Sequence, residues 1–96
     1  MEAEAITREI ARVIRQFLTE DYKIFLFGSW AKGTAADTSD VDIAIDGPKK
    51  IDQDVMIRIK AGLEGIPTLR SMDVVDLNSA GEEFKKNVLE HARLIN

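Results

Sequence analysis

The chain has 96 residues, 45% of them apolar, which is enough for one small core, and residues 1–96 are read as a single domain. It holds no cysteine, so disulfides and thiolate metal sites are excluded, which fits a reducing cytoplasm. The formal charge of −4 disfavours broad contact with nucleic acid, which needs Lys and Arg against phosphates, and no signal peptide or membrane-length apolar run is present, so a cytoplasmic location is expected.

Ile6, Ile10, Val13, Ile14, Phe17 and Leu18 recur at helical spacing and predict an amphipathic helix from Ala5 to Leu18. Arg8, Arg12 and Arg15 fall mostly off its apolar stripe and read as a solvated face. Thr19-Glu20-Asp21 breaks the pattern. The first strand is expected from Tyr22 to Phe27, and its apolar run Ile24-Phe25-Leu26-Phe27 reads as buried on both faces. Gly28-Ser29 stops it, and small residues there let backbone N–H groups approach an anion. A polar loop follows over 35–39.

Val41 to Ile45 is the second strand, ending at Asp46. Period two puts Asp40, Asp42, Ala44 and Asp46 on one face and Val41, Ile43 and Ile45 on the other, which suits a core. Asp46-Gly47-Pro48 marks a turn, and a helix is expected from Lys49 to Glu64 with Asp52 and Asp54 in its first turns. Gly65 and Pro67 end it. Met72-Asp73-Val74-Val75-Asp76-Leu77 reads as a third strand. Ser79 and Glu82 have the spacing of a capping box, and a last helix is expected from there to Ile95 with Phe84, Val88, Ala92 and Ile95 as its stripe. The order helix, strand, strand, helix, strand, helix implies an α/β (α+β) protein, a small mixed sheet packed with helices.

Asp40 and Asp42 lie roughly 6.5–7 Å apart along a strand. Carboxylates at that spacing can lean together over a pair of divalent ions about 3.5–4 Å apart. Beside the Gly28-Ser29 turn they point to a metal holding a nucleoside triphosphate. A third acid is expected from the third strand, where Asp73 and Asp76 face opposite ways. Trp30 and His91, each the sole residue of its type, read as packing and helix-boundary residues rather than ligands. No Ser/His/Asp set or zinc spacing is present.

Gly28-Ser29-Trp30-Ala31-Lys32-Gly33 followed by Ser39-Asp40-Val41-Asp42 resembles the Gly-Ser…Asp-x-Asp signature of the DNA polymerase β-like nucleotidyltransferases. The short length is similar to their minimal nucleotidyltransferase (MNT) members, and the resemblance runs from the first helix to the last. It implies the nucleotidyltransferase fold, a two-metal Mg²⁺ site on Asp40, Asp42 and Asp73, and ATP as the nucleotide donor. Gly28, Ser29, Lys32 and Gly33 then hold the triphosphate. Lys32 departs from the Arg most often expected there, keeping the charge without the planar fork. Asp73 is chosen over Asp76 because it matches the family's third acid at the start of its strand, as metal ligand and proton acceptor.

The resemblance also implies a setting. Many such proteins pair with a helical HEPN-domain protein as the antitoxin of a toxin–antitoxin system, and some transfer AMP to a tyrosine of that partner. An oligomer or hetero-complex is therefore expected. Two other readings remain: a non-catalytic nucleotide-binding antitoxin that acts by contact alone, and a subunit that modifies a small molecule of the aminoglycoside type.

Overall fold

The strict alternation of Val41-Asp42-Ile43-Ala44-Ile45-Asp46 builds the centre of the fold. The computed structural model describes residues 3–28 and 40–96. Among these the order is α1 (Ala3–Arg15), β1 (Lys23–Phe27), β2 (Val41–Asp46), α2 (Gln53–Glu64), β3 (Met72–Asp76), a 3₁₀ turn (Leu77–Ser79), α3 (Glu82–His91) and β4 (Arg93–Leu94). The strands form a mixed sheet in the order β3-β2-β1-β4. β1 runs antiparallel to β2 and to β4, while β2 and β3 are parallel, joined by the α2 crossover.

One sheet face carries the main core. Ile24, Leu26, Val41, Ile43 and Ile45 are buried there against Ile6, Ile10 and Ile14 of α1 and Ile59 and Leu63 of α2. Each buried side chain of this size contributes about 1.5–3 kcal/mol relative to exposure, so this face dominates stability. The opposite face is thinner. Ala44, Leu77 and Val88 are buried on it, with Phe25, Phe27, Val75 and Ala92 packed around them. Phe25 and Phe27 are only half-buried, so β1 is covered fully on one face and partly on the other, not buried on both as its apolar run predicts. No helix of the described residues is long and apolar enough to cross a membrane.

The last helix is shorter than its apolar stripe predicts. At Ala92 the backbone turns extended (ψ 151°), and α3 ends at His91. Arg93–Leu94 then pairs with the free edge of β1. The Ile24 N–H donates to the Asn96 carbonyl (2.9 Å) and the Ile95 N–H to the Ile24 carbonyl (2.8 Å). This satisfies edge groups of β1 that a longer helix would leave to water, and it brings Ile95 to the main core. Arg15 is likewise more than a solvated charge. It donates to the Thr19 carbonyl (2.6 Å), the Tyr22 carbonyl (2.7 Å) and Asn96 Oδ1 (2.6 Å), tying the end of α1 to the start of β1 and to the segment after β4. Arg12 makes a surface pair with Glu9.

Two further boundaries move for one reason, the Asp76 carboxylate. It is buried on the helix side of the sheet and accepts from the Ile51 N–H (2.8 Å), the Asn78 N–H (3.0 Å) and the Ser79 hydroxyl (3.3 Å). Ser79 is thereby engaged by Asp76 and not by a capping box, and Gly81 is the N-cap of α3. With the Ile51 N–H held by Asp76, α2 starts at Gln53 after an extended Asp52 N-cap (φ −60°, ψ 143°), and Pro48 lies outside the helix.

Candidate active site

Three backbone positions meet at one end of the sheet. Phe27, the last residue of β1, pairs with Asp42 near the start of β2. Asp42 in turn pairs with Asp73 on β3. Residues directly opposite in a sheet share a face, so the two carboxylates project side by side on the thinner face. Asp40 precedes β2 and is exposed. Asp76 is on the other face, with its carboxylate already committed.

Gly28 follows Phe27 and turns the chain with φ +71°, in the left-handed region that favours glycine. A Cβ built on it would stand 2.6 Å from Asp42 Oδ2. The bare glycine backbone therefore lies directly against the Asp42 carboxylate, and the site needs Gly28 for its conformation and its lack of a side chain. Ser29, Trp30, Lys32 and Gly33 lie outside the described residues.

The carboxylates act on one another. Burial first, then the negative charges of Asp73 and Asp40, raise the Asp42 carboxyl pKa above its ordinary value. No group of three acidic, His or Cys side chains among the described residues is placed to hold a metal ion. What the sheet register supplies is the Asp42–Asp73 pair, with Asp40 close enough for its charge to be felt. Hard oxygen donors that repel each other suit a divalent cation of the Mg²⁺ type, whose charge reverses that repulsion.

A family model described as "Polymerase beta, Nucleotidyltransferase" matches residues 9–96. The chain belongs to this nucleotidyltransferase family. It is 31% identical over 77 residues to the Haemophilus influenzae protein named "Probable protein adenylyltransferase MntA", an alignment spanning 80% of this chain and 68% of that one. Among solved structures, its fold is similar to a toxin–antitoxin crystal structure with AMP-PNP (TM-score 0.76, 23% identity, 94% of this chain and 72% of that one). It is also similar to a complex of tri-AMPylated Shewanella oneidensis HEPN toxin with MNT antitoxin (TM-score 0.73, 21% identity, 97% of this chain and 71% of that one).

Two features of this nucleotidyltransferase were not legible beforehand. Asp46 shares the acidic face of β2 but is paired with Lys85 of α3 (3.3 Å), which separates it from the Asp42–Asp73 pair. Phe84, assigned from sequence to the buried stripe of the last helix, is 44% exposed and meets Phe27 edge-on, with ring centroids 6.3 Å apart. Both depend on how α3 docks, a long-range fact with no local signal. His91 is exposed at the end of α3.

The raised Asp42 pKa fixes the sign of a pH effect in this nucleotidyltransferase. The native state binds this proton more tightly than the unfolded chain. Between the ordinary value and the raised native value it therefore carries more protons, and stability falls as pH rises through that window. The penalty is complete above the native value and gone below the ordinary one. Asp42→Asn removes it. In EDTA near neutral pH the variant is expected to melt above wild type, with a flatter pH profile. Melting curves from acid to neutral pH check this; parallel profiles for the two proteins would contradict it.

Proposed function

We propose that this chain is a Mg²⁺-dependent adenylyltransferase that moves AMP from ATP to a hydroxyl on a HEPN-type partner protein and acts as the antitoxin of that pair. The observation that carries the reading is the cross-strand Asp42–Asp73 pair set against the bare backbone of Gly28. Membership of the nucleotidyltransferase family supports the reaction class. The relative named as a protein adenylyltransferase and the similar fold of an MNT antitoxin bound to an AMPylated HEPN toxin support the acceptor. The 1–96 segment acts in this reading as one catalytic unit.

Asp42 and Asp73, with Asp40 drawn alongside, would hold the magnesium, which would supply positive charge to the triphosphate and acidify the acceptor hydroxyl. The remaining work belongs to the chain. The Gly28 turn, with Ser29, Lys32 and Gly33, binds and orients the phosphates. Asp73, on the strand farther from Gly28, takes the proton of the acceptor hydroxyl on its carboxylate. The acceptor oxygen bonds to the α-phosphorus in line, the bond from that phosphorus to the bridging oxygen breaks, and pyrophosphate leaves. Fixed charges in place before the reaction supply most of the acceleration.

The first test is thermal. Mg²⁺ or Mn²⁺ should raise the melting temperature, and more so with ATP, because a ligand that binds only the native state stabilises it. Asp40→Asn combined with Asp42→Asn should abolish the rise while the fold survives. An equal rise in the double variant would place metal binding elsewhere.

A further inference from the structure

β3 is an edge strand. It pairs with β2 on one side, and among the described residues no strand covers the other. The Ser71 carbonyl accepts from the Val41 N–H (2.8 Å), so Ser71, Asp73 and Val75 turn their backbone groups toward β2. By alternation, the N–H and C=O of Met72 and Val74 point outward, away from the sheet. The two edges of the sheet differ. β4 is two residues long and carries Arg93, which blunts it, whereas β3 spans five residues, Met72-Asp73-Val74-Val75-Asp76, with no Lys or Pro.

A groove follows this open edge on the helix side. One cleft, of about 320 Å³, is lined by Lys60, Leu63, Ile66, Met72, Asp73 and Val74 among others. A second, of about 480 Å³, is lined by Ile51, Met56, Lys60, Val74 and Asp76 among others. They share Lys60 and Val74, so together they form one channel between α2 and β3 that runs to Asp73. Lys60 belongs to both clefts and stands at its centre. Glu64 and Asp73 line the first cleft and Asp52 and Asp76 the second, and no acid lines both. Lys60 has no ion pair among the described residues.

We infer that an extended segment of the acceptor protein adds to the outer edge of β3 as a further strand. The inference rests on the adenylyl-transfer reading above and names how its acceptor is presented. Backbone bonds to Met72 and Val74 fix the register. The residue opposite Asp73 then projects onto the same face as Asp42 and Asp73, with its Cβ about 4.5–5.5 Å from that of Asp73. A hydroxyl-bearing side chain at that position is delivered to the acid that takes its proton. The residues before and after it point to the helix side. The one opposite Met72 enters the cleft walled by Leu63 and Ile66, which suits an apolar side chain. The one opposite Val74 lies over Lys60, which suits an acidic one. Donor and acceptor thus approach the carboxylate pair from opposite sides, Gly28 on the β1 side and the open edge on the β3 side.

Val74→Pro removes an outward N–H that no described strand uses, and edge strands tolerate proline. Lys60→Glu reverses the central charge without touching the backbone, and serves if the proline variant does not fold. The Mg²⁺–ATP thermal shift reports on fold and donor site in each. With the HEPN-domain acceptor and α-labelled ATP, each variant is expected to raise the acceptor KM about tenfold, the worth of one hydrogen bond or charge contact, with the ATP KM unchanged. Amide exchange at Met72 and Val74 in the wild type should slow when the acceptor is added. Wild-type acceptor KM in both variants, or unchanged exchange at both amides while label is transferred, overturns the edge docking and leaves the transfer reading intact. A wild type that labels no acceptor overturns the transfer reading, and the docking inference with it.

Discussion

Asp73→Asn is expected to reduce transfer of label from ATP by several orders of magnitude while the protein stays folded. Asp76→Ala is expected to do the reverse. Asp73 is exposed and pairs with Asp42 across the parallel β2–β3 ladder, so its side chain carries no buried contact on which the fold depends among the described residues. In the proposed reaction, replacing its carboxylate removes a metal ligand and the proton acceptor together, and losses of that kind fall on the transition state. Asp76 is 8% exposed and holds the buried Ile51 N–H. Its truncation leaves that donor unsatisfied, at a cost of about 1–3 kcal/mol. In a domain of this size each kcal/mol lowers the melting temperature by about 4–8 °C. Melting curves and initial rates on the same preparations separate the two. A fast Asp73→Asn beside a stable, inactive Asp76→Ala would show that the third strand presents the opposite face.

Gly28→Ala should disable the site more than it weakens the fold. A non-glycine residue in the left-handed region costs about 1–2 kcal/mol. The new Cβ would also stand 2.6 Å from Asp42 Oδ2. That atom is the tip of a side chain, so the contact is relieved by rotating the carboxylate away rather than by shifting the strands. The rotation spares stability and breaks the alignment of Asp42 with Asp73. The expected result is a modest drop in melting temperature in EDTA, loss of most of the Mg²⁺–ATP stabilisation, and transfer near that of Asp42→Asn. A variant that keeps the wild-type response to Mg²⁺–ATP would show that the glycine is needed for the turn alone.

Sequence made the centre of this molecule readable because strict alternation leaves little freedom. Val41, Ile43 and Ile45 could only form a core face, and this put Asp42 on the other. The same rule separates Asp73 from Asp76. Where reading failed, a distant partner decided the local conformation. The stripe Phe84, Val88, Ala92, Ile95 satisfies helical spacing to its end, yet the open edge of β1 draws Arg93–Leu94 into the sheet. Ser79 and Glu82 form a sound capping pattern, but Asp76, three residues earlier and fixed at the end of β3, takes the Ser79 hydroxyl. The same carboxylate, by holding the Ile51 N–H, sets where α2 begins. The β1 edge and the Ile51 N–H lie far beyond a short sequence window; Asp76 is local to Ser79, and only its placement by the sheet is not. The open edge of β3 belongs to the same class, since nothing in Met72 to Asp76 says which strand will be last in the sheet.

The central claim is that the Asp42–Asp73 pair transfers AMP to a protein. Its most direct test follows binding and transfer side by side, with wild type and Asp42→Asn, the HEPN-domain acceptor, Mg²⁺ and α-labelled ATP. The account predicts that both proteins bind the acceptor and that only the wild type places label on it, with release of pyrophosphate. Tight binding by the wild type with no label on the acceptor, under Mg²⁺ or Mn²⁺ and with any of the common nucleoside triphosphates, would contradict it and leave a protein that acts by contact alone.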